Sequence, residues 1–585
     1  MLNGAKITVT TSGKSIAGTI KIDLDDALLI TGDSSNELYL KQSEDDFSNL
    51  PGELNYYKSG IYASSFGKDE TSGNSGDMIL SAKRMEISDK GVLSTSTSGG
   101  GDAGKIIINT DDLIVDSASI SSESKGTNIG GNSGEISIHA ESIHFLNGAS
   151  ISGNVHGSGN GGSIRIESDN SVIFEGEDVD HNISRITIET KSQNENAGNG
   201  GKLNIIAGGD VLFKDGSYIS SITFGKGNAG DIDIQSNGFI SFSGICFDKH
   251  LLKTLQNSFG FDRTYNSGGL YAIADSISNG GNGGNVNIKA KNLTLLDGCP
   301  IFVTSIGQGD GGNIRVKVDN QVTLQGALDE GFWTAAISSS VVPVGPDAIG
   351  GDSGDVYIHA KDITIKDGGY IGSAVSSIYG KKCGAADEVI LIADDSIHIS
   401  GVNPYSKDKV AGSSGIYVYS KEIIEDDTNQ SGDSGSIFIK TRSLTLENGA
   451  KITVSTSGKS KAGNIDLNID DTILIKGDSI NEPVYFDNES NMPGGKNYYK
   501  SGIYASSFGR SPNSGTGGEI SIQSKVIRLS DKGHIETLTN GGGSAGKITL
   551  NSDTLSMSND ARISSESATA FVLFNSQHYN LPAKL

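Results

Sequence analysis

Residues that usually organise a globular domain are scarce. Among 585 residues there are one Trp, five Met, nine Pro and three Cys, and aromatic residues make up 6%. The cysteines, Cys246, Cys299 and Cys383, are odd in number and share no short spacing. That excludes a disulfide framework and a cysteine zinc site. Scarce Pro excludes collagen, although Gly appears 80 times. No apolar run reaches the roughly 18 residues of a spanning helix, so no membrane insertion is expected. The start Met1-Leu2-Asn3-Gly4 has no basic or apolar region, so no signal peptide is read there. Positive charge is also short. With 46 Lys and Arg against 70 Asp and Glu, the net charge is −24. Such a surface repels phosphate backbones, and no nucleic-acid partner is expected.

What is abundant falls into two groups. Ile, Val and Leu form strands, and Gly, Ser, Asn and Asp form turns. They recur as a small residue, Gly, a polar residue and then two β-branched or aliphatic residues around a polar one. Ala103-Gly104-Lys105-Ile106-Ile107-Ile108 and Ala229-Gly230-Asp231-Ile232-Asp233-Ile234 are examples. The Gly positions 76, 104, 134 and 162 are separated by 28, 30 and 28 residues. From Gly201 to Gly230 there are three strand-like stretches: Leu203-Asn204-Ile205, Val211-Leu212-Phe213 and Tyr218-Ile219-Ser220-Ser221. Period-2 alternation gives each stretch one apolar face. The pattern predicts an all-β chain, a parallel β-helix of about 28 residues and three short strands per coil. Ile106, Ile136, Ile232, Val286, Val356 and Ile548 are expected in one interior stack. Roughly 17 coils at ~4.8 Å would make a rod on the order of 80 Å.

A longer repeat lies over the short one. Gly4-Ala5-Lys6-Ile7-Thr8-Val9 returns from Gly449 to Val454, and Asn55 to Gly67 returns unchanged from Asn497 to Gly509. The organisation read from this is one repeat region, 1–567, with a long unit at 4–448 and a partial second unit at 449–567. A divergent tail follows at 568–585. Both ends read as interruptions of a longer protein. Some coils carry extra residues between the second and third strands, roughly Gly32 to Ser59, Gly244 to Gly268 and Gly477 to Ser501. Shorter additions follow Gly176, Gly326 and Gly401. A solenoid tolerates insertion at its turns. These inserts carry aromatics, and Tyr56, Tyr57, Phe261, Tyr265, Tyr405, Tyr498 and Tyr499 are the candidate binding residues.

Chemistry-bearing patterns have plainer readings. Paired acids recur at Asp25-Asp26, Asp111-Asp112, Asp394-Asp395 and Asp470-Asp471. Glycoside hydrolysis needs carboxylates at fixed separation, but a recurrent turn Asp bonding its own backbone explains the pattern. Gly280-Gly281-Asn282-Gly283-Gly284-Asn285-Val286 approaches a calcium-binding nonapeptide, yet the repeat is 28 rather than nine and Asn replaces Asp. It reads as a tight turn, with loosely bound calcium left open. His139, His144, His156, His181, His359 and His398 are scattered as packed or solvated strand residues, with no zinc-like spacing. No catalytic, metal or cofactor residues are assigned.

Gly227-Asn228-Ala229-Gly230-Asp231-Ile232-Asp233-Ile234, with the Asp215-Gly216 turn and the Tyr218-Ile219-Ser220-Ser221 strand, resembles the repeats of filamentous haemagglutinin-like large exoproteins. These are two-partner-secretion passengers of Gram-negative bacteria and cyanobacteria. The resemblance runs through Ser567. It implies a right-handed helix and export through an outer-membrane transporter. It also implies a secreted or cell-surface location and adhesion to glycans or proteins of host or neighbouring cells. The family's amino-terminal secretion domain has no counterpart here. The alternatives are a carbohydrate-active β-helix enzyme and the stalk of a contact-dependent toxin-delivery exoprotein.

Overall fold

Alternation of aliphatic and polar residues gives β-strands throughout. The computed structural model describes residues 1–33, 58–127, 129–194, 196–246, 266–276, 280–327, 334–343, 349–377, 382–405, 412–422, 432–479, 500–509 and 512–567. Among the described residues there are 37 strands and no helix. Sixteen strands, from Lys6–Thr11 to Arg562–Ser567, make one sheet in which neighbours pair in parallel. Nineteen others make a second parallel array, from Ile20–Asp23 to Ile548–Met557. At ~4.8 Å per strand, the sixteen-stranded sheet extends about 70 Å across its strands.

The register follows the repeat. Met78 pairs with Ile106, Ile106 with Ile136, and Ile136 with Ile164, steps of 28, 30 and 28 residues. The same ladder carries Ile232, Val286 and Val356 and ends on Ile548. The six residues expected to share a stack therefore do so. The first five are fully buried, and Ile548 packs partly buried against the same core. In the sixteen-stranded sheet, one column runs from Ile7 through Ile61, Leu93, Ile120 and Ile151 to Ile563, and every member is Ile or Leu. Phe145, Phe174, Phe213 and Phe242 form an interior stack with ring centroids 4.5, 4.8 and 4.8 Å apart. Their burial excludes water along the ladder and contributes dispersion contacts coil by coil.

Three short strands per coil is not the general arrangement. In most coils the first two are fused into one strand of 11 or 12 residues, such as Met78–Ser88, Ile106–Asp116 and Val286–Leu296. The bend falls beside a small buried residue, Ala82, Thr110 or Ala290, where two consecutive residues face outward. In four coils the strand breaks at this corner instead, at Asp25-Asp26, Asp169-Asn170, Gly208-Gly209 and Asn237-Gly238. The array then runs as two ladders between Ile136–Leu146 and Val286–Leu296, so eight strands close a ring of parallel pairings.

The glycine that marks the period has a steric reason. A Cβ on Gly104, Gly134, Gly162 or Gly201 would lie 1.9–2.1 Å from the carbonyl oxygen of the equivalent Gly one coil earlier. Only glycine permits that approach. Next to this column, turn side chains cap the following coil. The Asn132 carboxamide oxygen accepts the Asn160 N–H at 2.8 Å, Asn160 accepts that of Asn199 at 2.9 Å, and Asn199 that of Asn228 at 2.9 Å. Asn282 and Asn285, in the nonapeptide-like stretch, do the same for Asp310 and Asn313 at 2.9 and 3.0 Å. Their side-chain oxygens serve the backbone, as a turn role requires.

Candidate functional site

Six additions leave the second array and return to the sixteen-stranded sheet, and each begins after a left-handed glycine. Gly32, Gly176, Gly244, Gly326, Gly401 and Gly477 have φ between 77° and 95°, a conformation that favours Gly. Each addition is pinned by an antiparallel pair at its base: Asp33 with Lys58, Glu177 with Ile183, Cys246 with Asn266, Ala327 with Thr334, Val402 with Ser413 and Asp478 with Lys500. Each is also closed by one hydrogen bond. The N–H of Ser59, Ser184, Gly268, Ala335, Ser414 or Ser501 donates to the carbonyl of its own glycine at 2.9–3.2 Å. The additions predicted from spacing thus share one corner of the coil.

Four return points carry a second lock. Tyr62, Tyr271, Tyr417 and Tyr504 are buried, and each hydroxyl donates to a carbonyl four residues back: Lys58 at 3.2 Å, Ser267 at 3.0 Å, Ser413 at 2.9 Å and Lys500 at 3.1 Å. A glycine lies two residues before each tyrosine. A Cβ on Gly60 or Gly502 would meet the tyrosine hydroxyl at 2.5 Å. Ion pairs repeat as well, Lys90–Asp33 at 2.9 Å and Lys532–Asp478 at 2.7 Å, at matching places in the two long units. An outer apolar cluster of Ile183, Tyr218, Ile222, Cys246, Tyr271, Ile273 and Ile306 lies at the base of two of the additions. Cys246, Cys299 and Cys383 are free thiols, all buried, and burial pushes the Cys299 thiol well up.

Of the aromatic residues expected to bind, Tyr405 is described. It is 52% exposed, and its N–H donates to the Asn403 carboxamide oxygen at 2.9 Å. Tyr56, Tyr57, Phe261, Tyr265, Tyr498 and Tyr499 lie outside the described residues.

Of the paired acids, Asp25-Asp26 lies in a bend between two strands, as a turn reading expects, but the other three pairs lie within strands. Asp111-Asp112, Asp394-Asp395 and Asp470-Asp471 sit at the strand bend. Several face basic side chains of neighbouring coils: Asp395 meets Arg442 at 3.1 Å, Asp471 meets Lys525 at 2.7 Å, and Asp394 meets the His359 ring at 3.3 Å. The bend turns two successive side chains outward, and exposed acids suit that geometry. His398 likewise faces Glu447 at 3.0 Å.

Beside the glycine column lies a groove of about 570 Å³, with Asp231, Asp310, Asp352 and Asp387 among its lining residues. Asp387 follows Gly354 in the column that is otherwise Gly at this point: a Cβ on Gly435 would meet the Asp387 carbonyl oxygen at 2.2 Å. Burial, reinforced by Asp355, Asp352, Asp310 and Glu388, pushes the Asp387 carboxyl up to about 6. Among the described residues no group of three or more His, Cys, Asp or Glu is placed to hold a metal ion, and no helix could cross a membrane.

Comparison with protein families, with curated proteins and with solved structures finds no match to the chain. Its class therefore rests on architecture: all-β, with a sixteen-stranded parallel sheet beside a second parallel array. The added segments all rise from one corner of that framework.

Proposed function

We propose that this chain is the β-helical stalk of a large secreted bacterial surface protein, similar to filamentous haemagglutinin-like exoproteins. In this reading the two arrays are faces of one right-handed solenoid. Its export runs through an outer-membrane two-partner-secretion transporter. Its work is attachment to glycans or proteins on host or neighbouring cells. The observation that carries the reading is the common closure of six added segments at one corner of the coil. A stack of parallel coils supplies stiffness, since each coil is held by backbone hydrogen bonds to its neighbours. Segments presented in a row along one edge engage a surface together and gain avidity although each contact is weak.

The test is attachment of the purified chain to cells and immobilised glycans, with segments Gly32–Ser59 and Gly477–Ser501 shortened singly and together. Loss of attachment on shortening both is expected. Attachment that survives would move the adhesive surface onto the strand faces. Reproducible cleavage of a polysaccharide would replace the adhesive reading with an enzymatic one.

A further inference from the structure

The outward face of the sixteen-stranded sheet carries a second feature, separate from the additions. Across four coils, Val92, Ser119, Ser150 and Arg185 align, and so do Ser94, Ser121, Ser152 and Thr187. Ser124, Val155 and Thr190 are also bridged in parallel. The preceding residues Glu123, Asn154 and Glu189 therefore stack on successive coils, as do the following residues Lys125, His156 and Lys191. Glu123 and Glu189 are two coils apart, about 10 Å by backbone spacing. These rows, apart from Glu189 and His156, line a cleft of about 330 Å³.

The polar groups are held in place. The Glu123 carboxylate accepts from the Ser152 hydroxyl at 2.8 Å and the Asn154 amide at 3.3 Å, and Lys125 stands 3.7 Å away. Asn154 is itself fixed, donating to the Thr187 hydroxyl at 2.9 Å and accepting the Glu189 N–H at 2.8 Å. Glu189 is sealed, with its side chain 1% exposed, bonded to the Ser220 hydroxyl at 2.5 Å and 3.9 Å from Lys191. Lys125 and Lys191 remain 37% and 29% exposed. The charge within reach of a ligand is thus mainly cationic, on a chain whose net charge is −24.

The geometry points to an oligosaccharide-binding cleft for carboxylated, uronate-type sugars. Lys125, Lys191 and Arg185 would meet the sugar carboxylates, and the Ser119, Ser150 and Glu123 oxygens the sugar hydroxyls. Among the described residues no Phe, Tyr or Trp lines the cleft. Glu123 is not set up as the acid of a glycosidase. Glycoside hydrolysis requires a carboxylic acid kept protonated to serve the leaving oxygen. Burial would raise the Glu123 carboxyl, but Lys125, Lys191 and the Ser152 hydroxyl together hold it below its usual range. Burial and the nearby lysines lower the His156 imidazole against the opposing pull of Glu123 and Glu189.

This inference goes beyond the stalk reading, because none of its groups belongs to an added segment. The experiment is isothermal titration of the full chain with a hexameric oligouronate and, in parallel, a neutral hexameric glucan. Saturable binding of the oligouronate, at least tenfold tighter than the glucan, is expected. The variant K125M/K191M should lose at least tenfold in affinity with an unchanged far-ultraviolet spectrum. The milder Lys125→Gln should lose several-fold, and Lys361→Ala, on the other array, should lose nothing. Equal affinity for the two oligomers, unaltered binding by K125M/K191M, no saturable binding at millimolar ligand, or release of shorter oligomers would each overturn it. Shortening Gly32–Ser59 and Gly477–Ser501 should leave this binding intact, so failure of the cleft and failure of edge adhesion are read separately.

Discussion

Gly230 approaches the carbonyl oxygen of Gly201 so closely that a methyl group on Gly230 would lie 1.5 Å from it. The contact is backbone against backbone, so relief requires neighbouring coils to move apart. Gly230→Ala should therefore cost about 3 kcal/mol or more, in the range of severe overpacking. Gly13, with nothing within 4 Å of its added Cβ, is the control, and Gly13→Ala should change stability by about 0.5 kcal/mol or less. Chemical denaturation followed by circular dichroism checks both.

Phe213 lies between Phe174 and Phe242 at 4.8 Å on each side and is fully buried. Phe213→Ala leaves a cavity and two unstacked rings, for an expected loss of about 3–5 kcal/mol. Phe213→Leu, which keeps most of the volume, should lose about half of that or less. Equal losses in denaturant titrations would mean that the retained volume contributes nothing and that the stacked ring carries the whole effect.

At the return of the last long addition, Tyr504 and Gly502 act together. Tyr504→Phe removes only the hydrogen bond to the Lys500 carbonyl and should cost about 1 kcal/mol. Gly502→Ala should cost more, because its Cβ would meet both the Tyr504 hydroxyl at 2.5 Å and the His534 carbonyl at 2.6 Å. Gly502→Ala in the Tyr504→Phe background should be less damaging than in the parent chain. A double-mutant cycle measures that coupling.

Two groups make stability depend on pH in opposite directions. Burial, aided by Lys500 and Arg562 and opposed by a hydrogen bond to the Lys532 carbonyl, lowers the His534 imidazole to about 4. Above its ordinary value of 6.5 the ring is neutral folded or unfolded, and its full contribution is present. As pH falls from 6.5 towards 4 the unfolded chain takes the proton first, and stability is lost. His534→Gln should flatten the melting temperature over that window and leave its value at pH 8 little changed.

Asp387 behaves inversely. With its carboxyl pushed up to about 6 from 3.8, its contribution is present below pH 3.8 and is lost as pH rises through 6. Asp387→Asn should therefore raise the melting temperature at pH 7.5 and leave it unchanged at pH 4. Solvent screening at this half-buried site holds the gain to about 1 kcal/mol or less.

The glycine column, the aliphatic columns and the position of the additions were legible because each arises from a rule that acts at every coil. Steric contact selects Gly, alternation selects Ile and Val, and sheet neighbours tolerate added residues only at a corner. What was illegible breaks the rule at one place. Glu123, Asn154 and Glu189 are 31 and 35 residues apart, off the 28-residue step, so nothing in the spacing marks them as neighbours. Asp387 stands in a glycine column after an irregular coil, and its environment emerges only from stacking. The fused strands were illegible because Asp pairs stand both at bends that the strand runs through, as at Asp111-Asp112, and at a corner where it breaks, Asp25-Asp26. Of the candidate aromatics, Tyr405 alone belongs to the described residues, and it is exposed at the corner where the sequence put it.

The closing hydrogen bond from the residue after each addition to the glycine before it has a consequence for how such a chain diversifies. The bridged ends are six residues apart in the shortest case, Glu177 to Ile183, and 25 apart in the longest, Asp33 to Lys58, yet the closure is the same. A fourfold longer closed loop costs only about 1.2 kcal/mol in chain entropy. Each corner is thus a socket that accepts cassettes of very different length at nearly constant thermodynamic cost. Selection can rewrite what the edge displays and leave the register of the coils beneath untouched.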